Sequence, residues 1–148
     1  MLFRPATAVK TANHYYVFNR QRKHPINAGA VRRFLAQLSE CLNQSEAEVS
    51  VVFVTDKAMR TYNRRYRGID KSTDVLSFRG EQQGYLGDIM ISTEIAYQQA
   101  RKSPVLSFDT NIHRLLLHGF LHLSGYDHET DQGEMRVLER RLRRRFEC

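Results

Sequence analysis

The 148-residue chain lacks any apolar run approaching the roughly 20 residues that a membrane-spanning helix needs. Met1 to Lys10 contains Arg4 and Pro5 but no apolar stretch followed by a small-residue cleavage signal, so no secretory peptide is expected. Cysteine is scarce. Cys41 and Cys148 make neither a disulfide framework nor a metal-ligand spacing, and a reducing cytoplasm fits best. No internal repeat and no low-complexity segment interrupts the chain. Acidic residues are in deficit: 16 against 23 Lys and Arg, for a net charge of +7. A basic surface attracts polyanions, nucleic acid foremost, although many small soluble proteins are basic without a specific reason.

What is present is ordinary for a soluble globular protein, with 41% hydrophobic and 26% charged residues. The length suits one domain with a real core, taken as residues 1–148. The first 13 residues are weakly patterned. His14 to Arg20 is aromatic and β-branched and reads as a strand. Val31, Phe34, Leu35, Leu38 and Leu42 recur at helical spacing after Asn27, a suitable N-cap. Glu48 to Thr55 is a β-prone run, and Asp56 is expected to cap a second helix to about Tyr66. Val75 to Phe78 and Tyr85 to Ser92 read as a strand pair close enough to form a hairpin. Ser92 or Thr93 opens a third helix, ended by Ser103-Pro104. About Leu106 to Leu123 is apolar nearly all round, which marks a central buried helix. Asp131 to Glu134 has the form of a capping box ahead of a last helix bearing Met135, Leu138, Leu142 and Phe146 on one face. The expected fold is α/β (α+β): a single mixed four-stranded sheet packed with about five helices.

One stretch carries the chemistry: His118-Gly119-Phe120-Leu121-His122-Leu123-Ser124-Gly125-Tyr126-Asp127-His128. His118 and His122, four apart on a helix, stack on one face. Gly125 can take the left-handed conformation that ends a helix, letting the chain turn and return His128 to the pair. Three converging imidazoles with one open position describe a catalytic zinc site, whereas a structural site is closed by a fourth protein ligand. Nitrogen ligands make zinc the first choice, without excluding nickel or another metal. The offsets follow the metzincin protease pattern except that Gly119 stands where the protease carries its general-base glutamate. A metal site without that base argues against peptide hydrolysis and suits a phosphodiester held by arginine. His14, His24 and His113 are read as structural or surface residues. His113, five residues before His118, points away from the ligand face.

Arg64, Arg65, Arg67 and Lys71 cluster just before Thr73 to Phe78. A guanidinium can grip a phosphate through two parallel hydrogen bonds, but spacing does not choose Arg67 over its neighbours, and a solvated basic helix face is the commoner fate of such a run.

Tyr66 to Phe78, Leu86-Gly87-Asp88-Ile89 and the histidine motif together resemble the bacterial YbeY family of metal-dependent endoribonucleases, in matching order from about Val49 to Glu134. The resemblance implies a metzincin-like central metal-binding helix, with one zinc ion held by His118, His122 and His128. It implies Arg67 as the arginine of the catalytic cleft. It further implies a cytoplasmic, single-strand-specific endoribonuclease acting on the 3′ end of small-subunit (16S) rRNA and in late ribosome quality control. The implied partners are rRNA and the small ribosomal subunit, with no membrane and no DNA. Departures are few. Ser72 replaces a usual proline, which should loosen its loop. Where many members are acidic after the motif, this chain has Arg136, Arg140, Arg141, Arg143, Arg144 and Arg145, either an RNA- or ribosome-contacting face or a solvated one. Asp127 is read as a proton acceptor, a residue orienting a ligand, or a turn aspartate. Asp88 is read as supporting the site or belonging to the sheet edge. The competing functions are a metzincin-like metallopeptidase, with Glu129 or Glu134 replacing the lost base, and a non-catalytic zinc-stapled ribosome-binding protein.

Overall fold

A computed structural model describes residues 14–126 and 132–148. The element order is β1 (Tyr15–Asn19), α1 (Ala28–Cys41), β2 (Glu48–Val54), α2 (Asp56–Arg67), β3 (Val75–Arg79), β4 (Tyr85–Ser92), α3 (Thr93–Arg101), α4 (Phe108–Leu123) and α5 (Glu134–Arg145). The four strands form one mixed sheet in the order β1-β2-β4-β3. β1, β2 and β4 run parallel, and β3 pairs antiparallel with β4 as the expected hairpin.

β2 is buried along its whole length, as befits a Val-rich strand covered on both faces. Alternation divides the sheet's side chains. Val49, Val51, Phe53, Ile89 and Ile91 pack with α1 and α4, whereas Val52, Val54, Leu76 and Met90 pack with Met59 of α2. α4 sits against the first face. Its Leu116, Leu117, Phe120 and Leu121 are fully buried, each worth about 1.5–3 kcal/mol relative to exposure. Among the described residues no helix is long and apolar enough to cross a membrane.

The helix starts follow local capping chemistry, with two differences from expectation. Asn27 accepts from Ala30 N at 3.0 Å, and Ser92 caps α3 through Ile95 N at 3.3 Å. At α2 the cap is Thr55, which accepts from Ala58 N at 3.2 Å. Asp56 is instead the first helical residue, where its charge suits the positive end of the helix. α5 is capped by Gly133 at φ +110° with no side-chain bond. Glu134, expected as the fourth residue of a box, is instead the first helical residue, and its Oε2 accepts from Gln132 N at 2.8 Å; Asp131 lies outside the described residues.

Candidate metal centre and its cleft

α4 ends in a Schellman turn. Gly125, at φ +102°, donates its N–H to His122 O, and Tyr126 N donates to Leu121 O, each at 3.1 Å. A side chain at position 125 would be strained by that backbone, so glycine is required there. The turn brings Tyr126 onto the wall of a cleft of about 550 Å³, shared with His118 and His122. The opposite wall comes from β3 and the loop before it, with Thr73, Asp74, Ser77 and Arg79, and from Arg67. Ser77 Oγ donates to Gly119 O at 3.2 Å and ties strand to helix across the floor.

His118 and His122 present their Nε2 atoms to one another at 3.1 Å, with the rings nearly perpendicular. Glu139 of α5, only 8% exposed, accepts from His118 Nδ1 at 3.1 Å. A carboxylate in that position favours the tautomer with its proton on Nδ1, the one whose Nε2 can bind a metal. Arg143 donates to the same Glu139 oxygen at 3.2 Å. Two nitrogens on a tetrahedral ion with bonds of about 2.0–2.1 Å sit roughly 3.4 Å apart. The observed pair is close to that separation, and the carboxylate behind His118 is the support that metal-bound histidines normally have. The donor set therefore fits a metal ion. Among the described residues no third His, Cys, Asp or Glu joins the pair; His128 and Asp127 lie outside those residues.

Arg67 is the last residue of α2, ahead of Gly68 at φ +71°. Its Nη1 donates to Asn63 Oδ1 at 3.5 Å, and Asn63 Nδ2 donates to Lys71 O at 2.7 Å. Arg60 grips Asp70 through two bonds of 3.0 and 3.2 Å. The Arg60 guanidinium holds the Asp70 carboxyl below its usual range. Ser72 donates its hydroxyl to Asp56, so the loop expected to be loosened there is fastened to the start of α2. Asp74, on the cleft wall, accepts from Val75 N at 2.8 Å and from Gln99 of α3 at 3.1 Å.

Asp88 is not brought to this site. It is 2% exposed and stands in register with Ser50 and Phe78, on the sheet face turned away from α4. It accepts from the Tyr85 hydroxyl, whose oxygen in turn accepts from the Ser50 hydroxyl at 2.8 Å. Gly119 faces the sheet. A Cβ there would stand 2.9 Å from Ile89 Cγ2 and 3.1 Å from Ser77 Oγ. The position beside His118 thus serves close helix–sheet packing. Glu134 bonds Gln132 and does not line the cleft; Glu129 lies outside the described residues. His113 stacks on Phe34 at 4.4 Å and His24 on Tyr97 at 4.6 Å, both in structural roles. Sequence reasoning missed Glu139, Arg79 and Asp74 as site residues. Glu139 had a readable signal: a lone acid within the apolar face of Met135, Leu138, Leu142 and Phe146 requires a partner.

A family model described as Endoribonuclease YbeY matches residues 16–147. A Geobacter metallireducens protein named Endoribonuclease YbeY is 38% identical over 138 residues, covering 88% of this chain and 91% of its own. A Koribacter versatilis protein of the same name is 47% identical over 96 residues, covering 65% and 62%. The solution structure of a Thermotoga maritima protein superposes with a TM-score of 0.61 at 24% identity, covering 86% and 85%, a likeness of fold.

Proposed function

This chain belongs to the YbeY family of endoribonucleases, and from that premise we propose that it is a metal-dependent enzyme cleaving single-stranded RNA, acting in the cytoplasm on the 3′ end of 16S rRNA and in late ribosome quality control. The observation that carries this reading is the placement of a carboxylate-backed histidine pair and Arg67 on the walls of one cleft. His118, His122 and His128 would hold one zinc ion. Tyr126, two residues before His128 in the chain, lines the same cleft as the pair. A bound zinc ion supplies Lewis acidity and lowers the pKa of water.

The protein's own groups do the rest. Arg67 offers two parallel N–H bonds to the non-bridging oxygens of the scissile phosphate and stabilises the charge that grows there during attack by water or a 2′-hydroxyl. Asn63 and the fastened loop hold that guanidinium at the cleft. Glu139 fixes the ring of His118. Asp127 is assigned a supporting part at the turn before His128. A peptidase reading gains nothing, because Gly119 is turned into the sheet and Glu134 stands away from the cleft.

The test is cleavage of a single-stranded oligoribonucleotide by zinc-loaded protein, beside the DNA of the same sequence. Cleavage of RNA alone is expected, abolished by chelation. Arg67→Ala should lower kcat/KM by about 10²–10³. A fully zinc-loaded protein that leaves RNA intact would overturn the proposal. Accumulation of unprocessed 16S rRNA in cells carrying Arg67→Ala tests the ribosomal role.

A further inference from the structure

A second cavity of about 400 Å³ adjoins the catalytic cleft, and Asp74 and His118 belong to the walls of both. Its other side is formed by Arg114 of α4 and Arg143 of α5, with Gln99 and Asn111 between them and Asp74. The two amides are occupied. Asn111 Nδ2 donates to Ala96 O at 2.8 Å and to Gln99 Oε1 at 3.0 Å, and Gln99 Nε2 donates to Asp74. The arginines are not fully used. The Nε atoms of both Arg114 and Arg143 are buried, and neither has a hydrogen-bond partner among the described residues. A buried cationic donor without an acceptor is costly, and an anion entering the cavity removes that cost. Cys148 lies within electrostatic reach of both guanidinium groups, but burial pushes its thiol up, so it remains neutral and is no counter-ion for them. Arg143 is tied to Glu139 through Nη2, and its side chain keeps 40% of its exposure.

We propose that Arg114 and Arg143 form a second phosphate subsite, which holds the RNA backbone a short way along the strand from the scissile phosphate. The strand then runs from Arg67, past the histidine pair, into the second cavity. This inference rests on the reading of the protein as a ribonuclease. It gives one member of the arginine-rich last helix a defined task, while Arg141, 200° around the helix from Arg143, stays in solvent. A phosphodiester chain is the fitting ligand because the two cavities share Asp74 and His118 on their walls, so one strand can touch both. A guanidinium pair beside a phosphate-cleaving cleft selects backbone rather than base, so the subsite adds affinity without sequence preference.

The experiment uses the zinc-loaded full chain and a 2′-O-methyl octanucleotide, whose binding is measured across salt concentrations beside cleavage of the matching RNA. Arg114→Met is expected to bind the octamer about tenfold more weakly at low salt. Its slope of log K against log salt should be shallower by about 0.7, the value of one single-strand phosphate contact. Arg114→Lys should keep the slope, and Arg141→Gln should bind as wild type. In the wild-type protein, two arginine Nε–H resonances should shift with the octamer and stay still with a dinucleotide; this readout needs no variant to fold. Unmoved resonances, or a folded Arg114→Met with wild-type slope, would overturn the subsite. If cleavage persists in that case, the ribonuclease reading stands without it. If wild type binds the octamer through Arg114 yet cuts nothing, the subsite stands and the reaction falls.

Discussion

α4 carries three histidines, and its neighbours decide what each can do. His113 lies flat on Phe34 of α1, with an interplanar angle of 5°. Burial lowers its pKa, with Asp109 opposing the shift. His118 and His122, five and nine residues further on, stand in the cleft with Nε2 atoms 3.1 Å apart and Glu139 behind the first. Five residues advance a helix by about 500°, so His113 and His118 lie on faces roughly 140° apart. On one face the imidazole is an apolar ring. On the other it is a nitrogen donor held in one tautomer. Residue type and helix are shared; the carboxylate from α5 and the phenyl ring from α1 make the difference.

The comparison breaks if the two classes respond alike to metal. His122→Ala should weaken zinc binding more than a hundredfold in chelator competition, since even outer supports of a metal site are worth 10–100-fold. His113→Phe should leave zinc affinity unchanged. The next effect tests what sets His118 apart. Glu139→Gln keeps an acceptor opposite Nδ1 but removes the charge, and it should weaken zinc binding about 10–100-fold. An unaltered affinity in Glu139→Gln would mean that the carboxylate is not what distinguishes His118. A third face of the same helix is purely steric. Gly119→Ala must displace Ile89 or the helix, at about 1–3 kcal/mol for overpacking against a helix-propensity gain of about 1 kcal/mol. A net loss of up to about 2 kcal/mol in urea unfolding is expected, with zinc binding retained.

These contrasts were legible in the chain to different depths. The helices could be read from their apolar residues and β2 from its β-branched run, because α1 and α4 face one core and the Val-rich β2 is buried on both of its faces. Helix starts were harder where two capping residues adjoin. Thr55 and Asp56 both suit an N-cap, and the choice depends on Ser72 taking the Asp56 carboxylate from 16 residues away. Within the site, His118 and His122 follow from helical geometry. Asp88 was misleading, although strand alternation contains the correction: Ile89 and Ile91 face α4, so Asp88 and Met90 face away. Arg79, Asp74 and the cavity beneath Arg114 arise from where β3, α3 and α5 meet α4, which no local pattern encodes.

The smallest expected effect tests His113 through pH. In the unfolded chain its imidazole titrates near the ordinary value of about 6.5. In the fold, burial against Phe34 disfavours the cation and its pKa is lower. Above pH 6.5 both states are neutral, and the ring contributes its packing in full. As pH falls below 6.5 the unfolded chain takes up the proton first, so stability is lost progressively until the folded pKa is passed. His113→Phe keeps an aromatic ring on Phe34 and has nothing to titrate. Urea midpoints at pH 7.5 and 5.5 should therefore drop further in wild type than in the variant. The other histidines contribute equally to both proteins, so the difference isolates this one. Equal drops would show that the packed face of α4 does not hold its histidine neutral, and the contrast between the two faces would then rest on Glu139 alone.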